Sequence, residues 1–560
     1  MTWTRERIRP IALGEWQLEL RDDDLAQLTF RGREVLRSVR AVVRDRDWAT
    51  AVWTVEDVSV SGSGATITLA SDAFGTRFEG SLSLTADGPS LTVSLAVRAD
   101  HEFWTNRTGL VVLHPARVSG APLTVTHTSG EISHIAFPGE ISPHQPAFDI
   151  RALESEGVTV SFEGDRFEME DQRNWTDASF KTYNRALADP FPHLLESPVM
   201  QSVTVTVDEA ACPRAPRDAP SSDEALVLPE RAVGPIAFSV GASTAPGDGP
   251  ADPAGHDLLV EVDLGWSGWR SVIDRAAASG LPLDVRLVLP LVDADRAAAD
   301  AVDALANVPL ARIAAFQPPT HPHEHLADAE STRVLRAALG DRDVPVIGGT
   351  RSHFTELNRG QHLVPENLDG IAFSTTPLFH TREALQLEQA VEMQRLVAEQ
   401  AVRIAGGAPV HVGPVTLRAH LNNVATTDPP RPSGADLSEG YGPHLIDADD
   451  ERQRDPELAA WTIASAAALS VPGVATVSFF EEWGPRGIRS AKGTAYPVAA
   501  ALAALAALDG PLVTANSGRV WAIGSAATVL VANLGDVPRT ARIGDRTAEI
   551  DAKGWASVAR

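Results

Sequence analysis

The chain has 560 residues, 44% of them hydrophobic and 22% charged, a globular composition too long for one ordinary core. A formal net charge of −26 argues against nucleic acid and anionic membrane as partners, since both need a basic face. The single cysteine, Cys212, excludes an internal disulfide framework and fits a reducing compartment.

The first residues, MTWTRERIRP, carry no apolar core of a secretory signal. The longest apolar run, 498–508, is Ala-rich and far short of the ~20 residues that span a bilayer. A cytoplasmic protein is expected. Residues 1–212 are expected to form an all-β sandwich domain. Short, partly alternating runs at 16–20, 51–60, 65–69, 82–84 and 90–96 are punctuated by Gly, Asp and Ser. The stretch 167–183, FEMEDQRNWTDASFKTY, breaks this pattern. Glu168, Glu170, Asp171, Arg173, Asp177 and Lys181 share it with Phe167, Trp175, Phe180 and Tyr183. Charges crowded among large rings need partners, because an unpaired buried charge is very costly. The segment reads as a built site or a clasp between domains, and the clasp is preferred. In the minority reading Glu170, Asp171 or Arg173 reaches substrate.

Residues 213–229, rich in Pro, Ala and charge, are expected to be a linker. From 230 to 510 the rhythm becomes strand, loop, helix. Apolar runs at 236–240, 258–262, 283–289, 313–316, 344–347, 368–373, 409–412 and 474–480 read as eight buried strands. Helical patterns at 269–278, 297–305, 333–339, 382–404, 456–469 and 498–507 lie between or after them. This predicts a (β/α)8 barrel of the TIM type. Its weak point is 242–255, Gly/Pro/Ala-rich with little helical pattern. An alternative count drops the first strand and seeks another near 487–490. Residues 511–560 alternate as strands do and predict a small C-terminal β domain.

A barrel of this type carries its chemistry at the C-terminal ends of its strands. Two carboxylates are expected there, Glu356 in GGTRSHFTELNRG (348–360) and Glu481 in EEWGPRG (481–487). Two carboxyls across a pocket act as acid and base when their surroundings split their pKa values. The plainer reading pairs them with Arg359 and Arg486. Glu482 is expected to face elsewhere. Asn358, Arg359, His380, His411, Arg418 and Asp263 are the expected substrate-binding residues. Of these, Arg359, Arg418, His380 and His411 are candidate donors to an oxyanion. Glu261 and Gln317 are similarly placed. The run His321-Pro322-His323-Glu324-His325 departs from the HExxH spacing, and its Pro prevents a simple helical face. It reads as a solvated loop, and no metal site is expected. Without a P-loop, a Rossmann fingerprint or a GxSxG elbow, neither a nucleotide cofactor nor a serine nucleophile is expected, and no cofactor of any kind is assigned.

Several stretches resemble the D-apionate lactonase family: FEMEDQRNWTDASFKTY (167–183), NRTGLVVLHP (106–115), FPGEISPHQPAFDI (137–150), GGTRSHFTELNRG (348–360), HVGPVTLR (411–418) and FFEEWGPRG (479–487). The order of domains is also similar. The helix-poor 242–255 and the long acidic 423–454 depart from the pattern. The resemblance implies hydrolysis of D-apionolactone to D-apionate, with a small sugar lactone as the partner molecule. It brings no catalytic residues of its own. The barrel argument alone names Glu481 as base and Glu356 as acid, without a metal. A glycoside hydrolase using the same two Glu and a non-enzymatic carbohydrate-binding protein are the rivals. The oligomeric state is not legible.

Overall fold

The computed structural model describes residues 6–195, 198–210, 226–250, 254–425, 427–543 and 546–560. The expected linker therefore lies mostly outside the described residues. The N-terminal part is a sixteen-stranded sheet in which the strand pairs are antiparallel, from the hairpin Ile8–Leu13/Trp16–Arg21 to the far edge at Thr54–Ser61. In Thr76–Asp87 every second side chain is buried, as strand alternation requires. The sheet folds over its own core. Trp16 and Phe30 from one end share a single apolar cluster with Ile67, Phe78 and Leu82 from the other. The Trp16 indole ties the two ends by donating to the Gly88 carbonyl at 3.2 Å.

The middle of the chain forms eight parallel strands among the described residues: Ala237–Gly241, Leu258–Asp263, Leu283–Val288, Leu310–Phe316, Ile347–His353, Gly370–Thr375, Val410–Val415 and Val474–Glu481. The first pairs with the second and with the eighth, and the fourth meets the fifth at the bridge Ile313–Val346. The sheet thus closes on itself. Both faces of such strands are covered, which explains their continuous Val, Ile and Leu runs.

Helices follow the second to eighth strands: Trp269–Ala277, Ala294–Ala304, Ala329–Leu339, Phe354–Gly360, Ala384–Ala405, Glu457–Leu469 and Pro497–Ala506. After the first strand the described residues carry no helix. The alternative strand count does not describe this molecule. Ala237–Gly241 is a full barrel strand, and near 487–490 there are only isolated bridges, Glu481–Gly487 and Arg489–Ala495. The fifth strand differs most from expectation. It starts at Ile347 and runs through GGTRSH, where the pattern had ended a strand at 347. Gly348 and Gly349 are expected in the loop beyond that strand, yet Gly349 adopts φ +89° inside it. Arg351 is thereby a strand residue, and Glu356 sits on the helix beyond.

Leu512–Ser517, Val520–Gly524, Thr528–Asn533 and Trp555–Ala559 form the C-terminal sheet. It recruits Glu230–Gly234 from before the barrel as an edge strand. Glu457–Leu469 is apolar and buried on every side because it packs between the barrel and this sheet.

Candidate active site

At the C-terminal ends of the strands lies a cavity of about 1040 Å³, its opening included. Glu261 and Asp263 come from the second strand, Arg286 from the third, Arg351 from the fifth and Glu481 from the eighth. The long segment after the seventh strand supplies the outer wall with His420, Pro429, Pro430, Arg431, Pro432 and Tyr441. Arg431 Nε fastens that segment to the second strand by donating to Asp263 Oδ2 at 2.8 Å. Its prolines stiffen it. The Trp266 indole stacks on Tyr441, with ring centroids 6.2 Å apart and planes 21° apart, and donates to the Gly434 carbonyl at 2.8 Å.

Besides Arg431–Asp263, two ion pairs stand in the wall among the described residues. Glu481 accepts from Thr244 Oγ1 at 2.8 Å, from the Thr244 backbone N–H at 3.0 Å and from Arg486 Nε at 2.9 Å. Thr244 belongs to the helix-free segment after the first strand, and its backbone N–H finds its partner in this carboxylate. Arg275 holds that irregular backbone by donating to the carbonyls of Ser243, Ala245 and Gly247. In the second pair both Glu261 oxygens accept from Arg351, one of them from Nε at 2.8 Å. Burial opposes the Arg351 charge, but Glu261 outweighs it and raises the guanidinium pKa.

His420 completes the wall. Its Nε2 lies 2.9 Å from the Arg351 carbonyl oxygen. A carbonyl only accepts, so Nε2 carries the hydrogen. Burial above all, with His353, Arg351 and Arg486 nearby, holds the imidazole pKa well below its ordinary value. The ring is neutral and Nδ1 bears a lone pair. Among the described residues lining the cavity, His420 alone has a buried side-chain nitrogen or oxygen, this Nδ1, without a hydrogen-bond partner. Glu482, the neighbour of Glu481, is not part of the lining. It accepts weakly from the Ser243 N–H at 3.4 Å, and burial pushes its pKa up to about 7.

The expected residues are dispersed. Glu481 and Asp263 line the cavity. Glu356 does not. It is half-buried on the first turn of Phe354–Gly360 and accepts from Asn423 Nδ2 at 2.8 Å, and desolvation raises its pKa against the pull of Arg359. Arg418 lies beyond the seventh strand and donates to the Asp449 carbonyl at 2.9 Å. His411 sits inside the barrel, its Nδ1 3.0 Å from Thr476 Oγ1, near a buried network of Asp284, Arg286 and Arg312. Burial holds its pKa at about 3.

Asn358, Arg359 and His380 meet the N-terminal domain instead. Asn358 donates to Asn174 Oδ1 at 2.8 Å, Arg359 donates to the Pro143 carbonyl at 3.0 Å, and His380 lies 2.5 Å from Asp177. The charges of 167–183 pair among themselves and with the barrel. Glu170 meets Lys181 at 2.8 Å and Arg359 at 3.7 Å, Asp171 takes Arg173 at 2.7 Å, and Glu168 accepts from the Tyr183 hydroxyl at 2.6 Å. Among the described residues none of Glu170, Asp171 and Arg173 lines the cavity. Trp175 stacks on Phe379 at 4.4 Å. Phe379 meets His353 at 5.0 Å, and His353 meets His420 at 5.9 Å, so a row of rings connects the clasp to the cavity.

Sequence reasoning passed over Arg351, His420 and Thr244. Extending the fifth strand by its alternation would have placed Gly349 and Arg351 on one face. His420 follows the seventh strand, where the strand-end rule applies as much as it does to Arg418.

Residues 2–210 match the family model described as the N-terminal domain of D-apionate lactonase, and residues 245–510 match the one described as its TIM barrel domain. A D-apionate lactonase from Brucella anthropi is 29% identical over 527 residues, covering 86% of this chain and 83% of that protein. Among solved structures, a GH39 β-xylosidase from Caulobacter crescentus is 14% identical with a TM-score of 0.31, covering 55% of this chain and 83% of its own. A galactose mutarotase-like protein from Clostridium acetobutylicum is 9% identical with a TM-score of 0.24, covering 37% and 96%. Likenesses this distant carry no argument about chemistry. No helix among the described residues is long and apolar enough to cross a membrane.

Proposed function

The chain belongs to the D-apionate lactonase family, a lactone-opening carboxylic-ester hydrolase, and from that premise we propose that the barrel-mouth cavity converts D-apionolactone to D-apionate with His420 moving the proton. The carrying observation is the neutral imidazole of His420, a residue of the cavity wall, whose Nε2–H is spent on a carbonyl and whose buried Nδ1 has no hydrogen-bond partner among the described residues. In this reading water attacks the ring carbonyl and gives a proton to Nδ1. The tetrahedral oxyanion forms beside the Arg351 and Arg486 guanidiniums, which Glu261 and Glu481 hold in place. As the C–O bond of the ring breaks, the leaving oxygen takes the proton back from the imidazolium, leaving a hydroxy acid. Glu481 serves to position, because three donors already occupy its oxygens. The Trp266–Tyr441 stack offers an apolar wall to the sugar ring.

Acid release from a panel of aldonolactones, followed with a pH indicator, tests the substrate. D-Apionolactone is expected to turn over fastest. A tenfold preference for another lactone would replace it. Release of reducing sugar from an apiosyl glycoside without lactone turnover would replace the reaction class.

A second reading keeps the carboxylate pair, with Glu481 as base and Glu356 as acid. The observation in its favour is the raised pKa of Glu356, which a proton donor needs. Glu356→Gln decides between the two. Under the His420 reading kcat changes less than about threefold, and under the second it falls roughly 10²-fold or more.

A further inference from the structure

We propose that His321, His323 and Asp328 form a binding site for a divalent transition-metal cation of the zinc class, on the segment after the fourth barrel strand. Each residue brings one ligand atom within 4.8 Å of those of the other two. The carboxylate is held before any ion arrives. Asp328 Oδ1 accepts from Gln317 Nε2 and from the Ser331 N–H, both at 2.9 Å, and Oδ2 faces His323 Nδ1 at 2.8 Å. The imidazoles are also gathered. The His323 N–H donates to His321 Nδ1 at 3.0 Å, and the two rings meet edge to face at 5.6 Å. Both histidines are half-buried, so solvent can deliver an ion and complete its coordination.

The donor set selects the ion. Two imidazoles and one carboxylate suit zinc, cobalt or nickel, whereas magnesium and calcium prefer oxygen ligands. An ion here exchanges the His323–Asp328 hydrogen bond for coordination and keeps the carboxylate charge matched. His325, the third histidine of the run, stands outside the set. Its Nδ1 lies 3.1 Å from Arg351 Nη1, and its carbonyl accepts from the Arg351 N–H at 3.0 Å. The ion therefore braces a segment that lines the cavity at Pro319 and touches its Arg351 through His325, and takes no part in the lactone chemistry.

The test uses the full-length chain, dialysed against a chelator and then titrated with zinc chloride by calorimetry. One equivalent is expected to bind, with His321→Ala and His323→Ala each weakening the affinity at least tenfold. Magnesium chloride is expected to give no binding. The zinc-free protein is expected to keep its lactone turnover, with zinc raising the thermal midpoint only where both histidines remain. Zinc uptake unchanged in both variants, or absent from the unaltered chain, overturns the proposal. Asp328 caps Ala329–Leu339, so the two half-exposed histidines are the cleaner positions to change.

Discussion

Two regions of this molecule bury charge among aromatic rings, and they differ in whether that charge is used up. In the clasp between the domains, Glu170, Asp171, Asp177 and Glu168 each take a partner within hydrogen-bonding distance. At the barrel mouth the ion pairs Glu261–Arg351 and Glu481–Arg486 are just as close, but they border open space. Among the described residues lining that space, one buried side-chain nitrogen or oxygen, His420 Nδ1, is without a partner. Buried polar groups that are fully paired hold a structure together, and one left unpaired in a cavity wall calls for an explanation, which the proposed proton transfer supplies. The difference between a joint and a site lies in this remainder, because both regions have the same ingredients.

Changing the remainder should give the largest effect. His420→Asn keeps a polar side chain of similar reach and removes the imidazole. It is expected to lower kcat by roughly 10²- to 10⁴-fold while the thermal midpoint moves little. The pH profile adds an independent check. Burial lowers the His420 pKa, so the base form is already present at neutral pH. The acid limb of kcat/KM in the unaltered enzyme should then lie below pH 6.5, and the variant should lose it. Full activity in a folded His420→Asn protein would erase the contrast between the regions. The clasp should answer in the opposite sense. Lys181→Met removes the ammonium 2.8 Å from the half-buried Glu170 carboxylate and leaves it the Trp175 indole N–H at 3.1 Å and Arg359 at 3.7 Å. A stability loss of about 3–5 kcal/mol is expected, read by denaturant or heat, with kcat unchanged where the protein is folded. A large fall in kcat in a stable Lys181→Met protein would make the clasp part of the site.

This contrast also explains what the sequence made legible. Seven of the barrel strands can be read from apolar runs, because a strand covered on both faces needs little else, while the fifth run, 344–347, meets its strand only at Ile347. The 167–183 segment could be read as a clasp from the cost of burying charge without partners. The candidate site, taken as the cavity lining, was only partly legible. Glu481 and Asp263 follow from their places at strand ends. Arg351 does not, because two glycines disguised a strand as a loop and moved attention five residues on, to Glu356. Nor does His420, whose role depends on what its two nitrogens face. Its Nε2 is committed by the Arg351 carbonyl, a contact 69 residues away in the chain. The two departures from family pattern, 242–255 and 423–454, turn out to build the walls. Thr244 sits in the first, and Arg431 and Tyr441 in the second. Local rules fail most where the chain builds a cavity wall and not a core.

The finest test separates two neighbours. Glu481 and Glu482 are adjacent in sequence and both buried, yet only Glu481 faces the cavity. Glu482 has the weaker surroundings, one backbone N–H at 3.4 Å, and burial raises its pKa from 4.5 to about 7. Between those two values the folded protein holds a proton that the unfolded chain releases. Stability contributed by this group is therefore complete below pH 4.5, falls as pH rises through 7 and is constant above about pH 8. The loss amounts to about 3 kcal/mol at most. Glu482→Gln removes the titration, so its thermal midpoint should exceed that of the unaltered protein at pH 8 and converge with it near pH 4.5. Its kcat at a fixed pH should change by less than about twofold. A carboxylate that binds substrate would behave differently, with the variant losing activity at every pH and gaining nothing in stability. The outcome decides whether the cavity ends at Glu481 or reaches one residue further into the wall.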